Sequence, residues 1–238
     1  MKDNIEMAMQ NEVQNGAVMQ KCVDIVFCLD MTMDTYRWDK LMRLMHEGKE
    51  SFYKRLTRKG QSAPDALRVR FVLFRDYKWN DAPMVESRFF DMSTEYEDAV
   101  AFLEAQPDPC GGGDVAENSL EALVFAMKSD WVKTDSFKRH IVVLFTDEDA
   151  KPLGECKDCP DYPANMPTSL DELVALWGEM DVRAGNLIML APPTQTYLDL
   201  CNKMWDLGYY VFSCDFGGCS SDNVGFEEAM SMISIIII

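Results

Sequence analysis

The sequence predicts an α/β protein: one doubly wound, Rossmann-like domain with a mostly parallel six-stranded sheet, one antiparallel edge strand and helices on both faces. Short apolar runs of strand character alternate with amphipathic helical patterns along most of the 238 residues. Neither a linker nor an internal repeat interrupts this alternation, which is typical of helices packed on both faces of one sheet. We therefore expect an N-terminal extension over 1–20 and a single domain over 21–238.

Six runs have strand character. Residues 23–29 (VDIVFCL) are mostly apolar and predict the first strand, which we expect to be central in the sheet. Residues 67–75 predict the second strand. Residues 84–90 follow a short turn at 77–83, so we expect them to form the antiparallel edge strand. The remaining three predicted strands are 141–146, "NLIMLAP" (186–192) and "YYVFSC" (209–214).

Helical patterns fill the intervals between these strands. Trp38, Leu41, Leu44 and Phe52 form an apolar stripe at helical spacing, which predicts a helix over 36–57. Residues 151–167 are rich in Pro, Gly, Cys and Asp, so they predict a loop. Further helices are expected near 94–104, 115–130, 168–180, 194–206 and 222–236.

Charge and hydropathy exclude several classes of protein. The net charge of −17 argues against binding to nucleic acid or to an anionic membrane, because both require a basic surface. No apolar run reaches about 18 residues, so no transmembrane helix is expected. The first residues, "MKDNIEMAMQNEVQNG", show no export signal. Eight cysteines in such a chain are expected to be mostly reduced thiols, in a cytoplasmic setting.

Three acid-bearing loops stand out: "DMTMD" after the first strand, "GGGD" before a helix, and "TDED" after the strand at 141–146. In a doubly wound sheet, loops at the carboxyl ends of the strands converge on one edge. Carboxylates packed closely there repel one another unless a cation lies between them, and oxygen ligands favour a hard ion such as Mg²⁺. Helix N-capping is the alternative role of such acids. The predicted metal ligands are Asp30, Thr32, Asp34, Asp114 and Asp147.

These motifs give the chain a resemblance to the von Willebrand factor type A domain, closest to the intracellular branch found with alpha-kinases and in bacteria. Members of that branch look like "DxTGSM", "RFVxYRD" and "GGGDxPE…AL", followed by an apolar strand that ends in Asp. This chain has "DMTMDT", "RVRFVLFRDY", "GGGDVAENSLEAL" and "HIVVLFTDED" in the same order. The resemblance covers about residues 20 to 215.

The resemblance implies a metal-ion-dependent adhesion site and a non-catalytic protein-interaction module, part of an intracellular multiprotein complex. The expected ion is Mg²⁺, with Mn²⁺ or Ca²⁺ as alternatives. In the family a partner's acidic residue can complete the shell of the ion. Asp34 stands where the family has Ser, and Met33 where it has Gly. A carboxylate at position 34 would supply negative charge from within and weaken the attraction for an acidic partner.

Two other functions are compatible with the sequence. The stretch "LDMTMDT" is similar to the aspartyl-phosphate loop of haloacid-dehalogenase phosphotransferases, with Asp30 as the nucleophile. A degenerate type A domain could instead bind partners without metal. The pair Cys156 and Cys159 suggests either ordinary thiols or a small zinc clip; because it lies in a loop rich in helix breakers, we expect few core contacts there.

Overall fold

A computed structural model of the chain describes residues 20–32, 35–57, 62–111, 113–181, 183–204 and 224–237. Its strands are β1 (Cys22–Asp30), β2 (Ala66–Phe74), β3 (Met84–Glu86), β4 (Phe90–Asp91), β5 (Lys138–Phe145) and β6 (Gly185–Leu190). Its helices are α1 (Thr35–His46), α2 (Lys49–Leu56), α3 (Tyr96–Glu104), α4 (Ser119–Met127), α5 (Leu170–Glu179), α6 (Gln195–Met204) and α7 (Val224–Ile236).

The strands form one sheet in the order β3-β2-β1-β5-β6, with β4 also paired to β2. β1 runs parallel to both β2 and β5, and β5 runs parallel to β6. β3 and β4 are antiparallel to β2 and form the edge. The predicted fold class, the central place of the first strand and the antiparallel edge are confirmed.

The two faces of β1 pack against different cores. Its apolar side chains alternate between the faces, as the period of two in a strand requires. Ile25, Phe27 and Leu29 face a cluster that includes side chains of α1, α2, α3 and α7. Val26 and Cys28 face a second cluster, which includes side chains of α4, α5 and α6. This burial on both faces explains why residues 25–29 form a continuous apolar run.

Some elements differ in detail from the sequence predictions. The helix expected over 36–57 is two helices, because Gly48 adopts a φ of 93° between them, a conformation that ends α1. The edge strand expected over 84–90 is two short strands separated by 87–89. The predicted strand 209–214 and residues 1–19 of the N-terminal extension lie outside the described residues. No helix in the described ranges is long and apolar enough to cross a membrane.

The loop 151–167 contacts the core more than its composition suggested. Leu153 and Cys156 are buried, and Cys156 lies against the fully buried Asn118, with 3.7 Å from its Sγ to the amide nitrogen. The hydroxyl of Tyr162 donates a hydrogen bond to Glu121 on α4 at 2.8 Å. The expectation of few core contacts around Cys156 is therefore wrong, because α4 presents buried polar groups that this loop pairs.

A buried ion pair ties β1 to β2 near the amino ends of the strands. Asp24 is 1% exposed and accepts two hydrogen bonds from Arg68, at 2.8 and 2.6 Å. It also accepts one from the backbone N–H of Val132 at 2.6 Å. The Arg68 guanidinium stacks over the ring of Phe89, 4.5 Å from its centroid. Asp24 thus fixes β2 and the loop before β5 to the central strand.

We predict that Asp24→Ala lowers the free energy of unfolding by about 3 kcal/mol, because it leaves a partly buried guanidinium and a backbone N–H without their acceptor. Asp130→Ala is the matched control: its carboxylate is exposed and lies 3.9 Å from the Lys133 ammonium. That change should stay within about 0.5 kcal/mol. Urea denaturation measures both, and an equal loss in the two variants would contradict the role given to Asp24.

Candidate functional site

β1 and β5 are neighbours at the centre of the sheet. The strand that follows β1 lies on one side of this pair and the strand that follows β5 lies on the other, so the strand order reverses between them. Loops that leave the two strands on either side of such a point separate and open a crevice at their carboxyl ends. Asp30 ends β1, and Thr146 directly follows β5. Two of the three acid-bearing loops, those that begin at Asp30 and at Thr146, therefore leave strands at this edge.

Asp30 is the centre of the hydrogen-bonding at this edge. It is fully buried. One carboxylate oxygen accepts bonds from the backbone N–H and the hydroxyl of Thr32, at 2.9 and 2.6 Å. The other accepts from the hydroxyl of Thr146 at 2.7 Å. Burial raises the pKa of Asp30 to about 6 against the effect of these bonds, and the nearby Asp147 raises it further.

Glu117 is a second buried acid beside Asp30. The segment before α4 forms an isolated parallel bridge, in which Glu117 N donates to Asp149 O at 2.9 Å and Lys151 N donates to Glu117 O at 2.8 Å. This bridge brings Glu117 to the end of β5, where it is 2% exposed. Burial raises its pKa to about 8, and the charge of Asp30 adds to the shift. Its Oε2 is buried and has no hydrogen-bond partner among the described residues.

Asp147 provides a second carboxylate oxygen of this kind. It follows Thr146 at the end of β5, and its Oδ1 is buried without a hydrogen-bond partner within the described ranges. A buried polar atom left unpaired costs free energy, so two such oxygens near a third buried carboxylate call for a partner. Glu117, Asp147 and Asp30 form what we call the inner acid group.

Lys151 neutralises a separate pair of acids. Its side chain is 2% exposed, and its Nζ lies 2.9 Å from Asp76 Oδ2 and in contact with Asp114 Oδ1. Burial opposes its charge, but Asp114 and Asp76 hold its pKa above the ordinary value. Burial alone would raise the pKa of Asp114, yet the Lys151 ammonium and the Trp79 indole N–H lower it. Asp76, Asp114 and Lys151 form the outer ion-paired group.

The predicted ligand set is thus divided by the structure. Asp30 and Thr32 are in contact, and Asp147 lies close enough to Asp30 to affect its pKa. Asp114 is engaged by Lys151 instead, and Asp34 lies outside the described residues. Within the described ranges, no group of three or more His, Cys, Asp or Glu side chains is gathered closely enough to hold a metal ion. The five-residue metal site stays a prediction.

Four residues of this edge were not predicted as site residues: Thr146, Asp76, Glu117 and Lys151. The first two carried a signal in the sequence, since Thr146 directly follows β5 and Asp76 lies two residues beyond the end of β2. Glu117 and Lys151 carried no such signal. A bridge between residues 117 and 150 brings them to this edge, and no local sequence pattern predicts that bridge.

A cleft of about 530 Å³ lies at the opposite edge of the sheet, beside the first residues of β5. Trp131 and His140 line it, with ring centroids 4.9 Å apart. Its charged lining residues are balanced in sign: Lys128, Lys133, Lys138, Asp135, Glu179 and Asp181. The cleft therefore does not select a ligand by its charge, and it is separate from the inner acid group and the outer ion-paired group.

Neither a protein-family model nor a curated protein sequence matches the chain. Among solved structures, the pilus adhesin SpaC from Lactobacillus rhamnosus GG is similar, with a TM-score of 0.54 and 13% identity over 91% of this chain and 31% of that one. Proximal thread matrix protein 1 from the mussel byssus, with a zinc-occupied MIDAS motif, has a TM-score of 0.50 and 13% identity over 92% of this chain and 47% of that one.

This chain spans less than half the length of either structure. At 13% identity the likeness establishes the fold alone, and that fold is like the von Willebrand factor type A domain. Membership of the intracellular branch stays a prediction.

We predict that Lys151→Met lowers the free energy of unfolding by roughly 3 to 5 kcal/mol, because it leaves the fully buried Asp76 without its cation. Lys78→Met is the matched control, since Lys78 pairs with Glu155 and both side chains are more than a third exposed. That change should cost less than about 1 kcal/mol. Chemical denaturation in chelator compares them, and similar losses would contradict the structural role of Lys151.

A second prediction concerns pH. The pKa of Glu117 is about 8 in the folded chain, above its ordinary value of 4.5, so its favourable contribution is complete below about pH 4.5 and is lost as pH rises through about 8. Stability in chelator should therefore fall as pH rises through this window, and Glu117→Gln should reduce the slope. Glu97→Gln, at an exposed position of α3, should leave it unchanged. Thermal melts at several pH values measure the slopes, and an unaltered slope in Glu117→Gln would refute the prediction.

Proposed function

We propose that this chain is a non-catalytic, metal-ion-dependent protein-interaction module that works in an intracellular, cytoplasmic complex. The observation that carries the proposal is the inner acid group: a fully buried Asp30 at the centre of the sheet edge, beside two buried carboxylate oxygens that have no hydrogen-bond partner in the described part of the chain. A similar fold in the mussel protein has a zinc-occupied MIDAS motif. Both observations support a cation site at this edge.

The donor chemistry of the inner acid group fits a hard divalent ion. Carboxylate and hydroxyl oxygens are the ligands that Mg²⁺ and Ca²⁺ prefer. Asp30, Thr32, Glu117 and Asp147 would hold the ion, and because the described acids are not gathered closely enough for this as they lie, their side chains would have to close on it. Asp34 would add a carboxylate if it reaches the same place. A bound cation would offset the repulsion between Asp30 and Glu117 and satisfy the unpaired oxygens. We keep Mg²⁺ as the expected ion, with Mn²⁺ or Ca²⁺ as alternatives.

The surroundings of Asp30 support the non-catalytic part of the proposal. An aspartyl nucleophile must reach a phosphoryl group, with one oxygen in line with the leaving group. Asp30 has no exposed surface, and both of its oxygens already accept hydrogen bonds from Thr32 and Thr146. These bonds suit an acid that supports a site better than one that attacks a substrate.

One observation favours a second candidate, an interaction module that needs no metal. Lys151 already places a positive charge among the acids of this edge, in contact with Asp114, which the sequence predicted as a metal ligand. An internal ammonium can replace a divalent ion as the partner of buried carboxylates, without any dependence on metal concentration. The two candidates differ in whether the inner acid group binds an ion of its own.

Isothermal titration with Mg²⁺ and Mn²⁺ separates the candidates. We predict one bound ion in the wild-type protein and a higher melting temperature in its presence, because an ion that binds only the folded state stabilises it by mass action. Asp30→Ala and Glu117→Ala should each abolish that increase. Asp171→Ala, at an exposed position of α5, should preserve it.

No heat and no thermal shift in the wild-type protein would remove the metal-dependent proposal and leave the metal-free module. A shift that survives in Asp30→Ala would place the ion elsewhere. Phosphatase assays on the same samples test the third possibility, since turnover that is lost in Asp30→Ala would overturn the non-catalytic proposal.

A further inference from the structure

Two exposed apolar side chains lie on two loops that contact each other, next to the outer ion-paired group. Trp79 is 59% exposed and Val115 is 66% exposed. Exposed aromatic side chains of this size are common anchors of protein interfaces. Among the described residues, the large apolar side chains that are exposed are Trp79, Val115, Leu198 and Ile235. Two of these four therefore belong to loops that contact each other, since Trp79 touches Gly113 and Asp114 and Val115 is the next residue along the chain.

Trp79 is held in position although it is exposed. A Cβ at Gly113 would lie 2.2 Å from the indole Cδ2, so the ring rests directly on the backbone of the glycine loop. The indole N–H donates a hydrogen bond to Asp114, which also contacts the buried Lys151. A ring fixed in this way loses little conformational entropy when a partner covers it.

The loops around this surface are strongly acidic. Ranges 75–82, 107–117 and 146–155 together contain nine acidic and three basic side chains. Two of the basic ones are already engaged, Lys151 with Asp76 and Asp114, and Lys78 with Glu155. The charge left to face a partner is therefore negative, and a single divalent ion would reduce this excess without reversing it. Complementary charge favours a basic partner.

We propose that the Trp79–Val115 surface, formed by Trp79, Val115 and Asp114, docks a basic segment of a protein partner. An aliphatic or aromatic side chain of that segment covers the indole, and Lys or Arg side chains lie beside Asp114. The inference rests on the proposed interaction function and names the chemistry of the partner. It does not require that the inner acid group binds metal.

Two short peptides test this surface: one of Arg, Leu and Ser, and one in which every Arg is replaced by Glu. Binding is measured by fluorescence anisotropy to the full chain, with MgCl₂ and with chelator. The Arg peptide should bind the wild-type protein, and Trp79→Ala should weaken it by roughly tenfold or more, as expected for a central aromatic anchor. Trp79→Phe should keep most of the affinity. Leu198→Ala, a matched loss of an exposed apolar side chain on α6, should change the affinity less than about twofold.

The proposal is overturned if Trp79→Ala binds the Arg peptide as well as the wild type does, or if the Glu peptide binds equally tightly. An unchanged melting temperature in Trp79→Ala shows that lost binding is not lost folding. Binding of the Arg peptide through Trp79 in a chain that takes up no metal supports this surface while removing the metal-dependent function. Metal uptake with no effect of Trp79 on the Arg peptide does the reverse.

Discussion

The parallel pairing of β1 with both β2 and β5 determines where the acids of this protein meet. In the register of the sheet, Asp30 is opposite Phe74, and Leu29 is opposite Phe145. The residues that follow these strands, Asp76 and Thr146, therefore leave the sheet at the level of Asp30. Because the central strand is buried on both faces, the Asp30 carboxylate cannot turn to solvent, and its neighbours must supply hydrogen bonds or charge.

Much of this arrangement follows from the local sequence. An apolar strand that ends in Asp, with Thr two residues on, places both side chains on the same side of the chain, and the structure joins them by a hydrogen bond of 2.6 Å. The strand predicted over 141–146 similarly indicates that the acids after it reach the same edge. The two-residue period of a strand and the change from apolar to polar residues at its end determine these positions. A single sequence is therefore enough to locate Asp30, Thr32 and Asp147 at this edge.

The distribution of charge among the acids does not follow from the local sequence. Lys151 lies in a segment rich in helix breakers, where a lysine is ordinarily solvated, yet it is buried between Asp76 and Asp114. Glu117 appears in the sequence as an ordinary acid near the start of α4, and a contact with the chain after β5 buries it. Both depend on pairing across more than 30 residues. The break at Gly48 is different. A glycine is a local signal for the end of a helix, but the apolar stripe that continues past it predicted one unbroken helix.

The bridge between Glu117 and Ala150 has a mechanical consequence. The same backbone hydrogen bonds that hold Glu117 also hold Lys151, so a buried acid and a buried base are fixed to one short rung of structure. A displacement of the loop after β5 carries both with it. The Glu117 carboxyl and the Lys151 ammonium are consequently displaced together, and neither can change its distance from Asp30 without the other.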